Sequence, residues 1–271
     1  MKKLLLLVVL ALGVLAVPAW ALGGNVTLHP SGFGEHSYSA WKAHQGLTDN
    51  TGNDDQALYF QKLTATETFA AGVAVFKGVS DLPVSDLTGL SFWRRQDGWC
   101  GAGAPRFNLR IRNTTTGMSQ LFFIGCAEMV PGPTAIAPNG ETYEKRTFTF
   151  PGPTACCGNI PTANTVVTSL AIIFDEGTTQ FGLPLGPGFV HLDDIEIATT
   201  PGSQVPTKCW TGASDNGNRD TGPCPATGNA SVSSLSVLPT ALVEQPTLAD
   251  MAAVWPEVNP LAWVFYPNVL N

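Results

Sequence analysis

Charge is scarce in this chain, and clustered positive charge is scarcer still. Only 13% of its 271 residues are Asp, Glu, Lys or Arg, and 14 Lys and Arg stand against 21 Asp and Glu, for a formal net charge of −7. Binding to a phosphate backbone needs Lys and Arg gathered on one surface, so a nucleic-acid partner is excluded. No helical period runs through residues 22–199, which excludes a helical bundle. Beyond the N-terminus there is no apolar run of about 18 residues, so the mature chain is expected to have no membrane span. The chemical signatures of common enzymes are also missing. The chain has no G-x-S-x-G, no H-E-x-x-H, no P-loop, no dinucleotide fingerprint and no E-x-D-x-E run. His29, His36, His44 and His191 are scattered rather than grouped. There is no pair of C-x-x-C motifs, which argues against a zinc site.

The one long apolar run opens the chain. Lys2 and Lys3 precede an apolar stretch, and Ala19-Trp20-Ala21 follows it as a small-x-small cleavage triplet. Residues 1–21 therefore read as a signal peptide, and the protein is expected to be secreted, either extracellular or held in the cell envelope. Removing the two lysines leaves the mature chain more acidic.

Glycine and proline are plentiful, at 28 and 21 residues. They divide the chain into short segments, most of them alternating apolar and polar. Strands are expected at 25–29, 38–43, 57–62, 71–78, 87–95, 106–112, 121–125, 143–150, 169–177 and 186–198, with a Pro-rich loop at 131–138. About nine or ten strands with regular turn signals read as all-β, in the form of an antiparallel two-sheet sandwich spanning 22–199. Residues 169–177 (SLAIIFDEG) are apolar on both faces, as a mid-sheet strand would be. Residues 200–229 are rich in Gly, Pro, Ser, Thr and Asn and read as a linker carrying a disulfide loop. Residues 230–271 are apolar again. Thr247 is placed to cap a short helix there, ended by Pro256. This appendage is expected to dock on the domain or on a protein partner, or to mediate self-association.

The densest stretch is 90–126. In RFNLRIR, Phe107, Leu109 and Ile111 share one face and Arg106, Asn108, Arg110 and Arg112 the other. Leu90 and Phe92 likewise alternate with Trp93 and Arg95. Trp93, Arg95, Arg106, Asn108 and Arg110 together are the candidate ligand surface. An aromatic ring stacks on the C–H face of a sugar, and Arg and Asn supply hydrogen bonds to hydroxyls or carboxylates. Trp41, Trp99 and Trp210 are candidate rim residues.

The cysteines number six, which in an exported chain reads as three disulfides. A hairpin across TTTG would set Pro105 nearly opposite Cys126 and bring Cys100 within reach of it. The alternative is that either pairs with Cys156 or Cys157. The adjacent Cys156 and Cys157 either form a vicinal bond or bridge separate partners. The vicinal bond leaves Cys209 and Cys224 to pair locally.

At SFWRRQDGWCGAGAPRFNLRIRN and GFVHLDDIEI the chain resembles secreted bacterial jelly-roll domains of the galactose-binding-like and carbohydrate-binding-module type, over roughly residues 57–198. The resemblance implies a jelly-roll sandwich, a structural calcium, and recognition of a polysaccharide or cell-surface glycan. Asp193 and Asp194 are the candidate calcium ligands, since adjacent carboxylates offer the oxygen atoms a hard cation takes. The leading expectation is a non-catalytic glycan-binding protein. The alternatives are a cell-surface assembly protein docking through its C-terminal tail, and a glycan-cleaving enzyme using two carboxylates.

Overall fold

The computed structural model describes residues 26–48, 55–212 and Cys224. In chain order its strands are β1 (Thr27–Phe33), β2 (Ser37–Lys42), β3 (Ala57–Lys62), β4 (Ala71–Lys77), β5 (Leu87–Arg95), β6 (Arg106–Asn113), β7 (Ser119–Gly125), β8 (Val130–Ile136), β9 (Thr142–Thr149), β10 (Pro153–Thr154), β11 (Gly158–Asn159), β12 (Thr165–Phe174), β13 (Thr179–Gln180), β14 (Leu183–Pro184), β15 (Phe189–Thr199) and β16 (Lys208–Trp210). Helical structure among the described residues is confined to two 3-10 turns, Val84–Asp86 and Cys126–Glu128. The fold is all-β, as the spacing of turn residues predicts.

Two antiparallel sheets carry the architecture. One has five strands in the order β1-β4-β12-β6-β7; the other has seven, in the order β2-β3-β15-β5-β9-β8, with β16 also paired to β15. β3 and β16 share one edge of β15, the first meeting Phe189–Leu192 and the second Ile195–Ile197. Side-chain alternation decides what lies between the sheets. Phe107, Leu109 and Ile111 of β6 and Leu90 and Phe92 of β5 are buried in one interior with Phe60, Phe76, Ile172 and Leu192. The rings of Phe92 and Phe107 lie 5.6 Å apart across the two sheets. Each such side chain contributes about 1.5–3 kcal/mol when fully removed from water. β12 sits at the centre of its sheet, consistent with its unbroken apolar run.

The β6–β7 turn forms for a local reason. The Asn113 Oδ1 accepts the N–H groups of Thr115 and Thr116, both at 2.9 Å, and Gly117 takes the left-handed φ of 74° that closes the turn. At the other end of the hairpin Arg106 pairs with Gly125, and the Cys126 N–H donates to Pro105 O at 2.9 Å. Cys100 bonds Cys126 there, so the base of the hairpin is stapled. Cys156 bonds Cys157, and Cys209 bonds Cys224.

Two expectations need correction. Residues 131–138, read as a loop because of their prolines, lie largely within β8. Among the described residues this strand pairs only with β9, and its register is interrupted between Pro131 and Thr134. An edge strand tolerates proline because the outward side needs no N–H donor. The sandwich also does not stop at residue 199. Lys208–Trp210 adds a strand, and Trp210 is fully buried with its ring 5.1 Å from Phe76. The signal peptide 1–21, most of the expected linker beyond Thr211 and Gly212, and the 230–271 appendage with its short helix lie outside the described residues. No helix among the described residues is long and apolar enough to cross a membrane.

One end of the sandwich is closed by buried cations. Lys62 is 1% exposed, and its Nζ donates to the carbonyls of Thr66, Thr68 and Asp175 at 2.9, 2.8 and 2.7 Å. Arg106, also 1% exposed, makes a forked pair with the Asp175 carboxylate at 2.6 and 2.8 Å. Three carbonyls arranged around one ammonium match its three donors. Lys62→Met would leave all three without that donor. We expect a loss of about 2 kcal/mol in urea unfolding with an unchanged m-value, since each stranded buried carbonyl costs about 1–3 kcal/mol and relief of the buried charge offsets part of it.

Candidate functional site

The five residues expected to form one ligand surface do not share one. β5 and β6 belong to different sheets whose apolar faces meet in the interior. Trp93 and Arg95 therefore face outward from the seven-stranded sheet, and Arg106, Asn108 and Arg110 outward from the five-stranded sheet on the opposite side. Most of them are also covered. Trp93 is 5% exposed and packs with Leu47, Ala137, Tyr143 and Ala135. Arg106 is held by Asp175 and donates its Nε to Asn108 Oδ1 at 2.9 Å, and Asn108 is itself buried. Arg110 is half-buried.

The segment around Gln45–Leu47 accounts for the cover over Trp93. The N–H groups of Gln45 and Gly46 both donate to Asp55 O, and the Leu47 N–H donates to Asp193 Oδ2 at 2.6 Å. Gly46 fits closely, since a Cβ there would lie 2.6 Å from that same carboxylate oxygen. Tyr143 donates its hydroxyl to Gln45 O, and burial pushes its phenol pKa up, so it stays a donor. This half of the outer face is a small second core.

The other half of the face, across β2, β3 and β15, carries a row of accessible rings. Tyr38, Tyr59 and Phe189 are each half-buried. Register places them together: Tyr38 opposes Gln61, Gln61 opposes Phe189, and Tyr59 opposes His191. The ring centroids of Tyr38 and Tyr59 are 5.8 Å apart, and those of Tyr59 and Phe189 are 6.1 Å apart. His191 sits among them, 4.7 Å from Tyr59 and 5.9 Å from Phe189. Polar groups border the rings. Lys42 is exposed, with Nζ 5.5 Å from the Tyr38 ring and 5.8 Å from the Tyr59 ring. Tyr59 donates its hydroxyl to Gln61 Oε1 at 3.0 Å. Arg95 forks onto Asp97 at 2.7 and 2.9 Å, donates to Gln45 Oε1, and stands 6.0 Å from the Phe189 ring. Of the expected ligand residues, Arg95 alone reaches this surface.

Sequence reasoning passed over Tyr38, Tyr59, Phe189 and His191. Their signal was present in the alternation of ALYFQK and GFVHLDD, where Leu58, Phe60, Val190 and Leu192 turn inward. Of the expected rim tryptophans, Trp41 is on β2 and packs inward, Trp99 packs on the core from its loop, and Trp210 lies inside.

Asp193 and Asp194 are both buried, at 1% and 2% exposure. They sit where the β15–β5 register breaks, and Asp194 takes a left-handed φ of 43°. Asp193 accepts the N–H of Leu47 on one oxygen and that of Asp194, at 2.7 Å, on the other. An Asp194 oxygen lies within 4.8 Å of the sulfurs of Cys209 and Cys224, but those sulfurs are bonded to each other and are not metal ligands. The pair offers carboxylate oxygens suited to a hard cation.

Two titrations bear on this protein in opposite directions. Burial, followed by the charge of Arg95, lowers the His191 pKa to about 4. Its ring is therefore neutral at physiological pH. Burial, followed by the charge of Asp175, raises the Glu176 pKa to about 7 beside the Gly101–Gly103 loop. The unfolded chain takes up the His191 proton between about pH 6.5 and 4, so this group makes stability rise with pH across that window. The Glu176 carboxyl stays protonated in the fold while the unfolded chain ionises, so its contribution is present below about pH 4.5 and is lost as pH rises through 7. The two partly cancel. In Glu176→Gln, thermal melts should show stability rising from pH 4 to 6.5 by up to about 3 kcal/mol, and adding His191→Gln should flatten that rise. An unchanged rise in the double variant would assign the titration to another group.

No protein-family model, no curated protein and no solved structure matches this chain, so its assignment rests on the fold and on this ring-lined face.

Proposed function

We propose that this is a secreted, non-catalytic glycan-binding protein that holds a polysaccharide against the outer face of its seven-stranded sheet. The observation that carries the reading is the row of half-exposed rings Tyr38, Tyr59 and Phe189, spaced about 6 Å apart and bordered by Lys42, Gln61 and the Arg95–Asp97 pair. Flat apolar faces beside an exposed ammonium, an amide and an ion pair fit a chain of sugars, whose rings alternate C–H patches with hydroxyls. The two strand motifs that resemble carbohydrate-binding modules support the same reading, as do the signal-like N-terminus and the three disulfides.

The carboxylates described on this face are engaged in ways that favour binding over hydrolysis. Asp97 is taken up by Arg95, Asp193 accepts two main-chain N–H groups, and Glu196 accepts the N–H of Cys224 at 2.9 Å. Glycoside cleavage asks for two carboxyl groups facing each other across the scissile bond.

A structural calcium beside Asp193 and Asp194 accompanies this proposal. It would hold the Gln45–Leu47 segment against β15 without contacting the ligand. Two buried neighbouring carboxylates at the point where that segment is anchored support the idea.

The binding proposal is tested by affinity electrophoresis and pull-down on a panel of insoluble and soluble polysaccharides. For whichever polysaccharide is retained, Tyr59→Ala and Phe189→Ala should each weaken binding roughly five- to thirty-fold, corresponding to about 1–2 kcal/mol per stacking ring. Trp93→Phe, beneath the cover, should leave retention unchanged. Retention that is indifferent to both ring truncations would remove this face from the function. For calcium, EDTA should lower the melting temperature by several degrees and added Ca²⁺ should restore it. Superimposable melts would reject the cation.

A further inference from the structure

Charge is distributed unevenly around the ring-lined face. The outward side chains of β2 are Tyr38, Ala40 and Lys42, while Ser37 and Ser39 are buried. Ala40 opposes Tyr59 across the β2–β3 register, and its methyl group is too small to hold the lysine away from the tyrosines. The Lys42 side chain leans back over both rings, with Nζ 5.5 Å from the Tyr38 centroid and 5.8 Å from the Tyr59 centroid. The two centroids stand 5.8 Å apart, so the ammonium and the rings form a nearly equilateral triangle.

Lys42 is exposed, and among the described residues it has no ion pair and no hydrogen bond. A ring holds an exposed ammonium only weakly, which leaves its three N–H donors for a ligand. The other charges around the rings are matched. Arg95 forks onto Asp97, Glu35 beyond the start of β2 meets His36 at 3.1 Å, and Asp193 is buried against two main-chain N–H groups. His191 registers the balance from within the cluster. Burial is the first cause of its lowered pKa, and Arg95 and Lys42 both add to that effect against Asp97 alone. The face is therefore locally cationic in a chain whose formal net charge is −7. An acidic protein repels polyanions through its overall field, and an unpaired cation among stacking rings reverses that sign where a ligand would lie.

We propose that this face selects anionic polysaccharides, with a sugar ring stacked on Tyr59 and Phe189 and its carboxylate or sulfate group paired with the Lys42 ammonium. The selectivity rests on the glycan-binding reading of the same face. A uronate carboxylate and a sulfate ester share the chemistry that Lys42 recognises, a set of anionic oxygens projecting beyond the edge of a flat ring. The rings supply most of the grip, and the ammonium supplies discrimination: it favours the charged sugar over its neutral counterpart and adds little for the latter.

The test measures binding to polygalacturonate, alginate, hyaluronan and carrageenan, each beside its carboxyl-reduced or desulfated form. At about 20 mM NaCl the protein should hold at least one anionic polymer roughly three- to ten-fold more tightly than the matched neutral form, and about 300 mM NaCl should erase most of that difference. The pair that shows the preference tells carboxylate from sulfate. Lys42→Gln should bring the anionic polymer down to the level of the neutral one. Tyr59→Ala and Phe189→Ala should weaken both members of the pair, and a circular dichroism melt of each variant confirms its fold. Equal binding of both members of every pair, a preference that survives in Lys42→Gln, or no binding of any of the four anionic polymers would overturn the selectivity. In those cases a loss on ring truncation, for whichever glycan is retained, leaves the ring-lined face standing. Retention indifferent to both ring truncations would remove the face, and the selectivity with it.

Discussion

The contact between Phe92 of β5 and Phe107 of β6 sets the direction of most other side chains in this protein. These consecutive strands do not lie side by side. They face each other from two sheets, with their rings 5.6 Å apart across the interior. Once these rings turn inward, period-two alternation sends Trp93 and Arg95 out on one side of the molecule and Arg106, Asn108 and Arg110 out on the other. The loop joining the two strands, held at its base by Cys100–Cys126, crosses from one sheet to the other. Apolar burial between the sheets thus decides which polar groups can cooperate.

The outer faces that result are each divided between cover and exposure. On the seven-stranded sheet, Leu47 and Tyr143 enclose Trp93 in a small core anchored by the Asp193 carboxylate. Beyond that core, Tyr38, Tyr59 and Phe189 stay open around a neutral His191. Arg95 links the two halves, touching Gln45 on the covered side and lying near Phe189 on the open side. Its pairing with Asp97 satisfies a guanidinium that is otherwise 8% exposed. At the sheet end, Arg106 and Lys62 converge on Asp175 for a comparable purpose, satisfying polar groups that the interior excludes from water.

Much of the fold was legible because its signals are local. The Asn113–Gly117 turn, the alternation of β6 and the apolar run of β12 each depend on residues a few positions apart. The three disulfides were legible for the same reason, being a hairpin staple, a vicinal pair and a local loop. β8 was obscured because proline is a loop signal everywhere except at a sheet edge, and edge position is not a local property. β16 was obscured because its three residues gain stability mainly from Trp210, whose partner Phe76 is far away in sequence. The ring-lined face was overlooked because Tyr38, Tyr59 and Phe189 come from three separate strands, each supplying one ring and no motif.

The sequence by itself determined the class of the protein: all-β, antiparallel, disulfide-bonded, low in charge and built on two apolar faces. Composition and short-range periodicity are sufficient for that, because strand alternation and turn geometry act over a handful of residues. Tertiary structure alone decided the site. It separated Trp93 from Arg106 by placing successive strands in opposite sheets, closed Trp93 beneath Leu47, and assembled three distant rings beside Arg95. Those outcomes depend on which strands pair and in what register, and pairing is settled by the burial of the whole core rather than by any one segment.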